Sequence, residues 1–378
     1  MIRFAMFAIL LATNALGDWP TYHGDATLKG VSAAALPAEP TLVWRFNAGG
    51  AVYNTPVSDG RRIYFAAKKG QLIALDSQGS RVWKNEFTRK NGAGEATPLR
   101  FEAPLLAANG LVVAAATSGA LHALDGKSGE PKWSVETDGI FLGSPNLAGD
   151  ALVMLDQSAG ALIGIDLQNG KQRWKTEGVE RCDGSPGVGD GRIVFGSCLA
   201  ALHVYAADGK HLRDIEVGGD GQIAGGVVVD GASAFAGARD GALVRADLEK
   251  GDIVWACEES EQQSFGTPAV TDELVIYSSD DGFVRAVKKS DGALVWQFET
   301  EGYPTSPVVA DDKVVVSADG VLYLLALADG TKSWSKEISD EITSPAIIDG
   351  LIVVGADDGT VSAWGSPRGV RDSNGDEP

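Results

Sequence analysis

Histidine, cysteine and basic residues are all scarce in this chain, and each shortage narrows what it can do. The four histidines, His23, His122, His203 and His211, are scattered, and none lies at metal-ligand spacing around the three cysteines. There is no Gly-x-Ser-x-Gly, no Gly-rich phosphate loop, no His-Glu-x-x-His and no paired-carboxylate signature. These absences lower the expectation of catalysis without excluding it. Lys and Arg number 32 against 51 Asp and Glu, giving a formal net charge of -19 with no long basic run. Such a surface repels nucleic acid and anionic lipid, so neither is expected as a partner. Long apolar stretches are missing too: no segment reaches the roughly twenty apolar residues that a spanning helix needs.

The first residues, Met-Ile-Arg3 followed by the apolar run from Phe4 to Ala12 and the small residues Ala15 and Gly17, read as a secretory signal peptide over residues 1–17. Loss of Arg3 with it takes the charge to -20. No Cys stands near the expected cleavage site, so the expected product is a soluble periplasmic or secreted protein starting at Asp18. Residues 18–40, rich in Ala and Pro, lack strand-length alternation and are expected to form an ordered leader lying across the body of the protein. Residues 366–378 are expected to be a flexible tail.

What the chain has in abundance is glycine, 48 of 378 residues, and it is periodic. A Gly stands four residues before a Trp in Gly79/Trp83, Gly129/Trp133, Gly170/Trp174, Gly251/Trp255, Gly292/Trp296 and Gly330/Trp334. Gly209/Arg213 keeps the spacing without the Trp, and Trp44 opens the series without the Gly. The resulting slots are separated by 39, 50, 41, 39, 42, 41 and 38 residues. A period near forty, with room for four short strands, is the signature of propeller blades. The fold expected over residues 41–365 is therefore an all-β, eight-bladed propeller of four-stranded antiparallel blades.

Residues 305–334 show the unit: Ser306-Pro307 opens an inner strand, and Asp-Gly turns separate the strands that follow. Thr41-Leu-Val-Trp-Arg-Phe46 looks like an outer strand with no blade before it, and the chain ends its last unit at Trp364 with no outer strand after it. Residues 41–47 are thus expected to complete the blade formed by residues 343–364 and close the ring. Trp44, Trp83, Trp133, Trp174, Trp255, Trp296 and Trp334 are expected to wedge between blades, as structural rather than ligand-stacking residues. Arg213 predicts one looser or wetter junction.

The 50-residue spacing after Trp83 marks an insertion in the second unit, residues 84–103, carrying Lys84, Arg89, Lys90 and Arg100 on an otherwise acidic protein. It is either a tolerated surface insertion or a partner-binding element. Strand order places it on the same face as the second turn of each blade. That face therefore carries Lys68 and Lys69 beside the insertion, and Asp240, Asp280, Asp281, Asp319, Asp357 and Asp358 on the opposite side. Good turn chemistry explains most of these Asp residues.

Cys182 and Cys198 flank a hairpin read as symmetric about Asp190, which would make residues summing to 380 face each other. A disulfide between them is expected in an oxidising compartment, with free thiols or a metal site as competitors. Cys257 has no evident partner and is expected to be buried.

Gly70-Gln-Leu-Ile-Ala-Leu-Asp76, Gly119-Ala-Leu-His-Ala-Leu-Asp125 and Gly160-Ala-Leu-Ile-Gly-Ile-Asp166, each followed by its Gly and Trp, resemble the repeat of pyrroloquinoline-quinone-type (PQQ-like) eight-bladed propellers. The likeness covers nearly the whole mature chain, and the Trp19-Pro20 to Gly24-Asp25 leader is similar to leaders of that superfamily. One branch, the quinoprotein dehydrogenases, would imply alcohol or sugar oxidation with PQQ and Ca²⁺. Its members are usually longer, and many of those that oxidise alcohols carry two adjacent Cys residues, which this chain lacks. The other, the non-enzymatic BamB-like propellers of outer-membrane protein assembly, matches the compact length, although its members are typically lipoproteins. The favoured expectation is a monomeric, exported, non-catalytic scaffold without cofactor or metal. It would bind a protein partner or extended ligand on the face bearing the insertion and the blade turns. A small PQQ/Ca-dependent dehydrogenase is the alternative.

Overall fold

The computed structural model describes residues 19–219 and 221–366. The expected signal peptide and nearly all of the expected tail lie outside them. Eight sheets stand around a central axis, seven of four strands and one of five, with a separate two-stranded hairpin. The first blade runs through Val57–Ser58, Ile63–Ala67, Gln71–Leu75 and Arg81–Glu86 from the axis outward. Its middle strands are buried throughout because both faces are covered by neighbouring blades, so they read as continuous apolar runs. The ring closes as expected: Thr41–Asn47 pairs antiparallel with Thr360–Gly365, Thr41 opposite Gly365 and Asn47 opposite Thr360.

The Gly/Trp period has a direct cause in the packing. Six of the outer-strand Trp residues lie on the Gly of the following blade, so the Gly four residues before one Trp is the seat of the residue docking from the blade before it; Trp334, whose next slot lacks the Gly, packs against Trp364 instead. A Cβ on Gly79 would stand 2.6 Å from the Trp44 ring, and one on Gly129 would stand 2.7 Å from that of Trp83. Both glycines also sit at positive φ, +78° and +75°, where a side chain is disfavoured. The indole N–H then reaches a carbonyl of the same turn: Trp83 Nε1 donates to Gly126 O at 2.9 Å, and Trp133, Trp255 and Trp296 repeat the contact on Leu167, Lys289 and Leu327.

A regularity absent from the sequence reading accompanies this. The outer strand carries a β-bulge next to each docking residue: Ala74 pairs with Trp83 but Leu75 pairs with Arg81, leaving Val82 as the extra residue. The same slip recurs before Trp255 and Trp296, leaving Val254 and Val295. A bulge re-aims the side chain that follows it, here swinging the indole toward the next blade. The displaced residues explain why Val82, Val254 and Val295 are exposed on the outer rim.

The Arg213 junction is wetter than those of Trp83, Trp255 and Trp296, with the docking residue only partly buried, but it is not empty. The guanidinium takes the indole's place over Gly251, where a Cβ would stand 3.0 Å from Nη1, and Nη1 donates to Glu249 O at 2.7 Å. The planar fork thus substitutes for both the flat ring and its N–H. Arg213→Trp is expected to fill the slot with apolar surface and raise stability by about 0.5–2 kcal/mol. Urea denaturation of the two chains checks this, with an unchanged or lower midpoint counting against it.

Residues 19–32 do more than lie across the disc: they visit the blades in order. The carbonyls of Trp19, Pro20, Ala26, Thr27, Lys29, Gly30 and Ser32 accept from the backbone N–H groups of Ser58, Ala107, Val188, Val229, Val270, Val309 and Asp311. The third blade is joined through side chains instead, Thr21 bonding Ser144 and Asn146 bonding Ala26 O. Val31–Ser32 adds a parallel fifth strand to the seventh blade. Inner edges of six of the eight sheets, which would otherwise present unpaired donors to the channel, are thereby satisfied. Trp19, His23 and Leu28 are buried by the same path.

Candidate binding face

The inner strands begin at a throat built from the residue before each inner-strand Pro or its equivalent. Here neighbouring blades are laced by hydroxyls: Ser144 N–H donates to Ser185 Oγ at 2.9 Å, Gly226 N–H to Thr267 Oγ1 at 3.0 Å, and Thr267 N–H to Ser306 Oγ at 2.8 Å. The leader closes the throat from beneath. The Tyr22 hydroxyl donates to Thr267 Oγ1 at 3.1 Å and lies 2.6 Å from Ser306 Oγ, and burial pushes its pKa up. His23 presents both ring nitrogens to carbonyl oxygens, Leu28 at 2.6 Å and Pro307 at 2.9 Å. Burial lowers its pKa while the two carbonyls oppose that shift. Tyr22 lines two cavities above it, of about 350 and 190 Å³. The channel is therefore a blind funnel, open on the face that carries the outer-to-inner connections.

That face also exposes apolar side chains. Tyr303 is 67% exposed, Leu199 53% and Tyr53 49%, with Phe265 and Ile140 also exposed, all on connections or second turns of the blades. Single exposed aliphatics are ordinary, but several aromatics around one opening mark an interaction surface. The insertion after Trp83 is an ordered hairpin, Thr88–Lys90 paired with Ala96–Pro98, whose turn is held by Asn91 Oδ1 accepting from Ala93 and Glu95 N–H.

The six basic residues singled out in the sequence separate in space. Lys68, Lys69 and Arg100 come together around a cavity of about 410 Å³ between the second turn of the first blade and the insertion. Lys68 lies over the Tyr53 ring at 5.0 Å, and Arg100 pairs with Glu102. Lys84 lies back on the outer strand in an ion pair with Glu86 at 3.0 Å, which lowers the Glu86 pKa. Arg89 and Lys90 are exposed on the hairpin. Across the face, most Asp residues are occupied locally: Asp240 and Asp358 cap their own turns, Asp357 accepts from Ser339, and Asp281 holds Arg285. Asp280 is half-buried beside the Asp281 charge; partial burial, then that charge, raises its pKa. Asp319 joins Glu102 and Glu341 in lining the larger funnel cavity, a placement the turn reading did not anticipate.

The cysteine expectation needs correction. Asp190 and Gly191 both have positive φ, 48° and 72°, forming a two-residue hairpin turn. Gly187 therefore faces Val194 and Gly189 faces Arg192, one residue off the assumed symmetry. Cys198 N–H bonds Arg181 O, and the Cys182 thiol donates to Glu180 O at 3.1 Å. Cys182, Cys198 and Cys257 are all free thiols, and burial, then the neighbouring Cys198, pushes the Cys182 pKa up to about 12. The fourth blade also holds a Ser197–His203–Asp214 relay, with His203 Nε2 2.8 Å from Ser197 Oγ and Nδ1 2.8 Å from Asp214 Oδ1. Ser197 is fully buried and its Oγ already accepts from Leu199 N–H, so the hydroxyl has no access to a substrate. No Gly-x-Ser-x-Gly marks it because the three residues meet only through strand pairing.

The family described as outer membrane protein assembly factor BamB matches residues 29–181 and 175–371. The chain belongs to this family. BamB from Moraxella catarrhalis superposes with a TM-score of 0.74 at 20% identity, covering 86% of this chain and all (100%) of that one. The quinohemoprotein alcohol dehydrogenase of Comamonas testosteroni gives 0.73 at 15% identity, covering 93% of this chain and 81% of that one. A computationally designed protein, Ika8, gives 0.73 at 17% identity, covering 88% of this chain and 100% of that one. At these identities the likeness is one of fold. No curated protein matches the chain. The quinone cofactor of the dehydrogenase branch is a tricarboxylate, and the funnel does not fit it. Both funnel cavities are lined by carboxylates, Glu102, Asp319 and Glu341 in one and Asp183 in the other, and by no Lys or Arg. Among the described residues, no group of three or more His, Cys, Asp or Glu is placed to hold a metal ion.

Proposed function

We propose that this BamB-family chain is a monomeric, non-enzymatic scaffold of the cell envelope that holds a polypeptide partner during outer-membrane protein assembly. The contact surface is the face bearing the hairpin of residues 88–98 and the exposed Tyr53, Phe265 and Tyr303. The observation that carries this reading is the concentration of exposed aromatics and a projecting ordered hairpin on one face of an otherwise regular disc. Interface cores favour Tyr, Phe and Arg over Lys and Glu, which fits aromatics as anchors and the charged turns as rim. The anionic funnel lining gives no support to the quinoprotein alternative.

Photo-crosslinking residues at positions 90 and 303, introduced one at a time into the exported chain, test the assignment. The expected result is a discrete adduct to the same partner from both, and none from position 254 on the outer rim. Equal adducts from position 254, or none from the face, would remove the assignment.

A further inference from the structure

The cavity between the first blade and the insertion combines three features that the family assignment does not explain. Its walls are apolar and rigid, with Ala67, Leu99 and Phe101 all buried. Asn54, itself 2% exposed, fixes two of the segments that bound it: its Nδ2 donates to Phe101 O at 3.1 Å and its Oδ1 accepts from Ala66 N–H at 3.1 Å. Such a space of about 410 Å³ is preformed and of small-ligand size. Its edge carries three cations, Lys68, Lys69 and Arg100, against one carboxylate, Glu102, which pairs with Arg100, in a chain of net charge -19. Lys68 and Lys69 occupy the turn that carries Asp280-Asp281 in the sixth blade and Asp357-Asp358 in the eighth, and Lys69 holds a left-handed φ of +72°. That conformation is disfavoured for a long side chain, and Asp or Asn would suit the turn better. Among the described residues, neither lysine is in an ion pair.

We propose that this cavity binds an amphipathic organic anion: an aromatic or branched apolar group seated against Leu99 and Phe101, with its carboxylate held by Lys68, Lys69 and Arg100. Charge complementarity selects the anion, since without one Lys68 and Lys69 face the cavity with no ion-pair partner among the described residues, Arg100 has only Glu102, and the surrounding acidic surface repels an anion elsewhere. Arg100 supplies a planar fork for a carboxylate, and the lysines supply mobile point charges. The site shares a face with the proposed partner contact but does not depend on it. The carboxylate could belong to a small free acid or to the C-terminal residue of a polypeptide.

Isothermal titration of the full chain at low salt tests both sources. The probes are 4-phenylbutyrate, its primary amide, butyrate, and an acetylated tetrapeptide ending in Leu as the free acid and as the amide. Saturable one-to-one binding of 4-phenylbutyrate is expected, with the amide and butyrate at least about ten-fold weaker. The Lys68→Gln/Arg100→Gln pair should lose about ten-fold, whereas Lys127→Gln/Lys332→Gln, which removes the same charge from the opposite face and the outer edge, should not. All four residues are exposed, so the fold is unaffected. Binding of the peptide acid assigns a chain terminus as the source, and its failure beside bound phenylbutyrate assigns a small acid. Absence of saturable binding by both acids at millimolar concentration, equal binding of acid and amide, or equal loss in the control pair overturns the proposal. If the acids fail while positions 90 and 303 still crosslink a partner, only this site is lost.

Discussion

Trp83→Ala is expected to destabilise the protein by about 3–5 kcal/mol, because it removes a large buried side chain and leaves a cavity between the first two blades. The indole is 8% exposed, its centroid lies 5.9 Å from that of Tyr64, and its N–H is satisfied on Gly126 O. Gly129→Ala is expected to cost about 2–4 kcal/mol, since the new methyl meets the indole and must also adopt a positive φ. Combining the two should cost less than their sum. Without the ring the methyl still meets the Asn85 amide at 2.9 Å, but that is the end of a side chain that can shift, so mainly the conformational part, about 1 kcal/mol, remains of the glycine's effect. Urea unfolding of the single and double variants at neutral pH gives the coupling. Additivity within about 0.5 kcal/mol would show that the glycine is present for its turn alone and not as the seat of the Trp.

Asp281→Asn is the second large effect, and its size depends on pH. Arg285 is 4% exposed, and its Nη1 and Nη2 donate to the two Asp281 oxygens at 3.1 and 2.6 Å, with Ser279 Oγ accepting at 2.7 Å. Burial alone would raise the Asp281 pKa. The hydrogen bonds from Arg285, Ser279 and Phe283 N–H outweigh it and hold the pKa at about 2. Breaking the pair leaves a buried guanidinium without its counter-charge, expected to cost about 3 kcal/mol at pH 7. A carboxylate with a depressed pKa stabilises the fold above its ordinary value and loses that contribution as the pH falls from 3.8 toward about 2. Asp280 opposes this, because its raised pKa favours the fold as it takes up a proton, so the net acid loss is smaller than Asp281 alone would give. The stability gap between the wild-type chain and the Asp281→Asn variant should therefore narrow over that window. A gap that stays constant down to pH 2 would mean that the charge of Asp281 contributes nothing.

Blade number, ring closure and the docking role of Trp were legible in the sequence because they follow from a spacing that repeats, and each repeat reinforces the reading of the others. The bulge beside each Trp was not legible, since an extra residue in one strand shows only once its partner strand is known. The leader's route was hidden for a different reason: its carbonyls bond inner-strand N–H groups, and backbone pairing of this kind leaves no side-chain pattern. The hairpin register was misread by one residue, because Asp190 and Gly191 form the turn together, and Cys182 and Cys198 stand near each other as free thiols. On the candidate face, the basic insertion and Lys68-Lys69 were visible as departures from the repeat. Tyr53 and Tyr303 were not, because a single aromatic in a connection carries no signal until its exposure is known.

The closure of the ring also sets an order of events during synthesis. Thr41–Asn47 leaves the ribosome early, yet its partner strand Thr360–Gly365 is made about three hundred residues later. The segment from Trp19 to Ser32 waits as well, because its bonding groups are spread over successive blades. The earliest-made elements are thus the last to be placed. Until then the chain is an open ring with unpaired strands at both ends, the kind of long-range intermediate that folds slowly and is prone to aggregate. The final step of closure would be registered by protection of the Ser58, Val229 and Val309 amides from exchange.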